Sequence, residues 1–309
     1  MSIPHEEIDS VLDHILPHIQ RHNKTQDPKG PFVLGLTGLQ GSGKSTWTDA
    51  LVKALSEQHH YNAINISLDD LYLDHDDLLQ LRLSNPSNKL LQTRGQPGTH
   101  DIALAVDFFE SLKHQSGDIR IPSFEKSKFN GEGGRAPQES WRHLPAGTRV
   151  DVVIFEGWCV GFQPLGDNMV RQRWDESSLK QPATEFPTET LREHAVEHLW
   201  GVNANLRRYC ELFMGPRHFD YLVHLDTDEL GNVYQWRIQQ EHALRARRND
   251  GMTDEEIVRF VKGYMPAYEL YLDQMRQGFF HDAVGANGKG QLRVILNRER
   301  KIVNTVVYR

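Results

Sequence analysis

Eight consecutive residues constrain this chain more than any other feature. Gly38, Leu39, Gln40, Gly41, Ser42, Gly43, Lys44 and Ser45 complete the pattern G-x-x-x-x-G-K-[ST], directly after the apolar run Phe32 to Thr37 and at the head of a helix-like stretch from Lys44 to Gln58. A strand that turns through glycines into a helix aims backbone N–H groups and the positive helix end at one spot. The glycines cradle phosphate oxygens there, Lys44 reaches the β and γ oxygens, and the Ser45 hydroxyl is suited to ligate Mg²⁺. Gly38 to Thr46 is therefore the expected triphosphate site, with ATP and Mg²⁺ as expected cofactors. A guanine-reading N-K-x-D tetrad is missing, since Asn23-Lys24 and Asn88-Lys89 both lack the Asp two residues on.

Four more apolar runs read as strands. Asn62 to Ser67 is followed by Asp69 and Asp70, Val150 to Phe155 by Glu156 and Gly157, Tyr221 to Leu225 by further acids, and Leu292 to Leu296 lies near the C-terminus. Short apolar strands separated by helical segments predict an α/β fold, a three-layer α/β/α arrangement with a mostly parallel sheet covered on both faces. Ligands in such sheets sit beyond the carboxyl ends of the strands, where these acids fall. A length of 309 residues fits one domain over 1–309. Ile8, Val11, Leu12, Ile15 and Ile19 predict a docking helix over 5–20, which Pro17 should end or kink. The polar stretch 161–201 reads as a surface insertion without chemistry. Thr253 to Glu256 forms a capping box ahead of Ile257 to Lys262, and Met265 to Met275 is a further amphipathic helix.

Composition narrows the partners. The net charge of −7 and pI near 6.1 give no positive field for nucleic acid. Two cysteines, Cys159 and Cys210, are too few for a disulfide framework and suit a reducing compartment. No apolar run approaches the roughly 18 residues of a membrane span, and the acidic start with Glu6, Glu7, Asp9 and Asp13 does not resemble a targeting segment. A cytoplasmic protein with a small-molecule partner is expected.

The acceptor side of a phosphoryl transfer has to come from residues outside the glycine loop. Asp69, beside Asp70 and Tyr72, is the candidate base for an attacking hydroxyl, although paired acids after a strand also serve as helix caps. Glu156 ends its strand as a Walker-B acid does and is the candidate second metal ligand with Ser45. Arg237, Arg245, Arg247 and Arg248, followed by Asn249 and Asp250, lie on one helix of a candidate lid over 232–262. They would either cover the transferring group or form a solvated face, with Glu241 paired to Arg245. Two loops rich in charge and glycine, with Arg94, His100 and Asp101 on one and Lys126 and Arg135 on the other, are candidates for binding an anionic acceptor.

These blocks together are familiar. The glycine loop, Ser67 to Tyr72, Arg94 to Asp101, Lys126-Ser127, Glu156 to Phe162, Gln235 to Arg237 and Met265 to Tyr268 resemble the plant-type D-glycerate 3-kinase family and its fungal kinase-like homologues. That family is akin to phosphoribulokinase, uridine kinase and pantothenate kinase. The resemblance implies a P-loop fold with an Arg-bearing helical lid and transfer from ATP to a primary hydroxyl. It gives Asp69 the role of catalytic acid–base group and Glu156 that of metal-side acid, and it places Arg237 and Arg245 in the lid. D-glycerate is the leading acceptor it implies; a nucleoside, pantothenate or another polyol is the alternative. An ATP-regulated binding or assembly protein with no acceptor is the reading from another class. The sequence departs from the family at Leu71, at Phe124-Glu125 and at Gly134, which removes a hydroxyl and a carboxylate from the acceptor loop.

Overall fold

The computed structural model describes residues 3–24, 30–115, 117–177, 186–248, 251–281, 283, 285 and 288–308. The chain begins with helix α1 (His5–Lys24), followed by β1 (Phe32–Gly38), α2 (Lys44–Glu57), β2 (Ala63–Ser67), α3 (His75–Ser84) and α4 (Ile102–His114). Two short antiparallel ribbons come next: β3 (Ile119–Ile121) pairs with β6 (Arg142–Leu144), and β4 (Phe124–Glu125) pairs with β5 (Gly134–Arg135). Then come β7 (Val152–Gly157), α5 (Asp167–Glu176), α6 (Val196–Tyr209), β8 (Tyr221–Asp226), α7 (Asn232–Arg248), α8 (Asp254–Lys262), α9 (Met265–Gln277), β9 (Gly290–Leu296) and β10 (Ile302–Tyr308).

Six strands form the central sheet in the order β10-β9-β8-β1-β7-β2. Five are parallel and β10 returns antiparallel to β9. Every residue of β7 and β8 is buried, which requires layers on both faces of the sheet and accounts for the unbroken apolar runs in the sequence. The expected three-layer α/β/α architecture with a mostly parallel sheet is what forms. One contiguous cluster of buried apolar side chains extends from Ile8 in α1 to Leu296 in β9. The parallel register aligns Thr37 with Gly157 and Ser67 with Glu156. The residues after β1, β2 and β7 therefore emerge at one edge.

Two local expectations are corrected. Pro17 does not end α1, which runs on to Lys24, so of the two expected effects the helix end is ruled out; Ile15 before it and Ile19 after it are both fully buried, and that packing outweighs the lost backbone bond. The 161–201 stretch is more ordered and more buried than a surface insertion, in the part that is described. It holds α5, the first residues of α6, and the buried Val170, Leu191 and Leu199. Glu269 of α9 accepts hydrogen bonds from the Thr190 amide and hydroxyl, both at 2.7 Å, and Arg173 donates to the carbonyls of Glu269 and Leu270. No described helix is long and apolar enough to cross a membrane, and Cys159 and Cys210 are both free thiols.

Candidate active site

The glycine loop closes the carboxyl end of β1 as its sequence demands. Gly41 and Gly43 adopt φ of +81° and +93°, the left-handed region that glycine enters without strain. Gly43 is the N-cap of α2 and carries no side-chain cap, and the first-turn amides of a helix have no intrahelical acceptor. A cavity of about 200 Å³ opens over that turn, lined by Gln40, Gly41, Gly43, Lys44, Ser45, Thr46 and, from other elements, Ser67, Asp69, Lys126, Glu156, Arg237 and Gln240. Gly38, Leu39 and Ser42 stand behind it as buried support. Any Cβ at Gly38 would lie 2.7 Å from the Ser42 hydroxyl oxygen.

Charge inside the cavity is coupled. Lys44 Nζ donates to the carbonyls of Gly38 (2.9 Å) and Leu39 (3.2 Å). Burial lowers its ammonium below the ordinary lysine range, opposed by the charges of Glu156 and Asp69. Glu156, 7% exposed, is shifted the other way: burial raises its carboxyl, with Lys44 pulling against it.

Asp69 is held from two sides. Its Oδ1 accepts from the Tyr72 hydroxyl at 2.8 Å and its Oδ2 from Lys126 Nζ at 2.5 Å. Burial pushes the Asp69 carboxyl up, but the Lys126 charge and these hydrogen bonds prevail and hold it below the usual value. Burial, followed by the charge of Asp69, keeps the Tyr72 phenol far above its ordinary pKa, so it remains a donor. The ring of His100 stacks on that of Tyr72 at 4.5 Å, and burial pushes its pKa down to about 3, leaving a neutral imidazole.

The remaining expected residues build walls. Asp70 turns away from the cavity and accepts from the amides of Ser67 and Phe124, closing a capping box on the turn Leu68–Leu71. The Ser67-x-x-Asp70 spacing is the signal that marks this role. Asp101 caps α4 through the Leu104 amide and pairs with Arg135 at 2.8 Å; Arg135 also donates to the Tyr72 carbonyl. Arg94 donates to the carbonyls of Gly131 and Glu132 and lies near the rings of Tyr72 and Phe124. It faces a second cavity of about 720 Å³ beneath α8, which Tyr264 also lines. Trp158 contributes to the cavity over the glycine loop, and its ring meets that of Tyr264 edge-on at 4.8 Å.

On α7, Arg237 lines the cavity over the glycine loop and pairs with Glu241 at 3.7 Å. Arg245 does not line it: its partner is Asp254 at 2.9 Å, not Glu241. Arg247 and Arg248 side chains, with Asn249 and Asp250, lie outside the described residues. Gln240 was not singled out from sequence, and Trp158 entered only as part of the Glu156 to Phe162 block, with no role of its own. Gln240 is one helical turn beyond Arg237 and so shares its face, which is the signal that could have found it.

The donor set suits a small hard cation. Ser45 supplies one hydroxyl and Glu156 one carboxylate in the cavity over the glycine loop, and Mg²⁺ prefers few protein oxygens, completing its shell from water and phosphate.

Known proteins are similar over nearly the whole length. No family model matches the chain. It is 39% identical to an uncharacterized kinase, mug58, of Schizosaccharomyces pombe, over 86% of this chain and 89% of that one. It is 33% identical to the chloroplastic D-glycerate 3-kinase of Arabidopsis thaliana, over 82% of this chain and 51% of that longer protein. The solved structure of D-glycerate 3-kinase from Cryptococcus neoformans superposes with a TM-score of 0.83 at 32% identity, covering 98% of this chain and 99% of that one. At these identities, and with the Cryptococcus structure matched over almost its whole length, this chain is an ATP-using phosphotransferase that belongs to the D-glycerate 3-kinase family of P-loop kinases.

Proposed function

We propose that the protein transfers the γ-phosphate of ATP to the primary hydroxyl of a small anionic metabolite, with D-glycerate as the leading acceptor. The observation that carries this reading is the Asp69 carboxylate, held by Tyr72 and Lys126 in the same cavity as Lys44. The names borne by the Arabidopsis and Cryptococcus relatives support glycerate as the acceptor.

In this mechanism the loop amides and Lys44 hold the β and γ phosphates, and Arg237 covers the transferring group from α7. The acceptor hydroxyl oxygen forms a bond to the γ-phosphorus as the bond to the β–γ bridging oxygen breaks, and ADP leaves. Asp69 takes the hydroxyl proton, its depressed pKa keeping it ionised for that purpose. Lys126, more than half exposed, supplies a cation for the acceptor carboxylate. Ser45 and Glu156 would hold Mg²⁺, which neutralises phosphate charge when bound. The lid residues exclude water from the cavity and so suppress hydrolysis.

The experiment is coupled ADP release with D-glycerate, pantothenate, a nucleoside panel and no acceptor, with the phosphorylated product identified by mass spectrometry. Stimulation by D-glycerate alone is expected; stimulation by none of them overturns the assignment of a small-molecule acceptor.

Tyr72 offers a separate check. Tyr72→Phe removes one of the hydrogen bonds that lower the Asp69 pKa, so the carboxyl rises. The acid limb of the pH profile of kcat/KM should move to higher pH, and kcat should fall by about tenfold. A pH profile identical to wild type would remove Tyr72 from the site.

A further inference from the structure

Arg300, in the turn between β9 and β10, bridges the phosphate loop and the lid helix. Its Nε donates to the Gly41 carbonyl at 2.7 Å, one terminal nitrogen to the Trp236 carbonyl at 2.7 Å, and the other to Gln239 Oε1 at 2.8 Å. Its guanidinium lies 5.7 Å from the centre of the Trp236 ring, whose Nε1 donates back to the Arg298 carbonyl at 2.9 Å. Loop and helix also touch directly: a Cβ on Gly41 would sit 2.7 Å from Trp236 Cβ and 3.1 Å from the Arg237 amide. The Gly41–Ser42 peptide is thereby held from both sides, its carbonyl by Arg300 and its N–H by the Leu39 carbonyl at 3.1 Å.

All three of these acceptors are neutral, and no carboxylate pairs with Arg300 among the described residues. A half-buried cation without a counter-ion is unfavourable unless its hydrogen bonds are needed. A planar fork holds its donors in fixed directions that suit backbone carbonyls of different elements; an ammonium presents rotatable donors from a single atom and an apolar side chain none.

We propose that Arg300 is a positioning residue that couples the nucleotide-filled phosphate loop to the lid. With a triphosphate seated, the Gly41 carbonyl is fixed, and through the guanidinium so is the second turn of α7, which presents Arg237 to the cavity. The unneutralised charge also lies against the loop, at hydrogen-bond distance from the Gly41 carbonyl, where it favours an anion nearby.

The test is hydrogen–deuterium exchange with and without saturating Mg²⁺ and the non-hydrolysable ATP analogue AMPPNP, together with steady-state kinetics. In the wild type, and in the control Glu299→Gln in the same turn, the analogue should slow exchange in both 38–46 and 232–240. In Arg300→Gln it should slow exchange in 38–46 alone, KM for ATP should rise about tenfold, and KM for the acceptor should stay within about twofold. Arg300→Lys keeps the charge but not the fork, so KM for ATP should recover in part while protection of 232–240 stays lost. Should Arg300→Gln fail to fold, the Lys variant decides alone. Nucleotide-dependent protection of 232–240 equal to wild type in either folded variant overturns the proposal. The exchange measurement uses no acceptor, so it is independent of which metabolite is phosphorylated.

Discussion

Asp69→Asn is expected to lower kcat by about 10³-fold, the middle of the range for removal of a general base, while leaving Mg-ATP binding within about threefold of wild type. The amide is nearly isosteric and can still accept from the Tyr72 hydroxyl at Oδ1, so the turn Leu68–Leu71 should keep its shape. What disappears is the proton acceptor and the counter-charge that Lys126 meets at 2.5 Å. Coupled ADP release gives the rate and calorimetry with Mg-ATP gives the affinity. A variant with wild-type turnover would exclude Asp69 as the base, and Asp70 would not replace it, because both of its oxygens accept backbone amides.

Lys44→Ala should reduce kcat/KM for ATP by about 10³-fold, as loss of a preorganised charge on the transferring phosphate does. Lys44→Arg should not rescue it, since the longer planar fork has no room where Nζ already lies 2.9 Å from the Gly38 carbonyl. The midpoint of thermal unfolding should stay within about 3 °C of wild type, because the ammonium is desolvated in the fold and its removal relieves that cost as well as the attraction to Glu156. Unimpaired activity in Lys44→Ala, measured by the same coupled assay, would contradict the placement of the triphosphate over α2.

The chemistry that was readable from sequence is the part encoded in contiguous residues. The glycine loop, Asp69 after β2 and Glu156 at the end of β7 each follow an apolar strand, and a parallel sheet delivers all three to one edge regardless of the loops between. Pairings were less legible. Glu241 and Arg245 have ideal i,i+4 spacing, yet Glu241 lies by Arg237, also at i,i+4, and accepts from the Met252 amide, while Arg245 turns to Asp254 on the next helix. Intrahelical spacing left both pairings open, and the position of α8 decided between them. Pro17 shows the same hierarchy, since burial of its neighbours overrides a local preference.

The sequence by itself determined the glycine loop, the fold class and the strand-end carboxylates Asp69 and Glu156 that line one cavity with that loop, because backbone conformation and strand periodicity are local properties. Only the tertiary structure decided that Arg94 and Arg135 brace loops and that Lys126 reaches Asp69 from another element. Those roles depend on which elements meet across tens or hundreds of residues, as Arg300 and Gly41 do, and no local pattern encodes that distance.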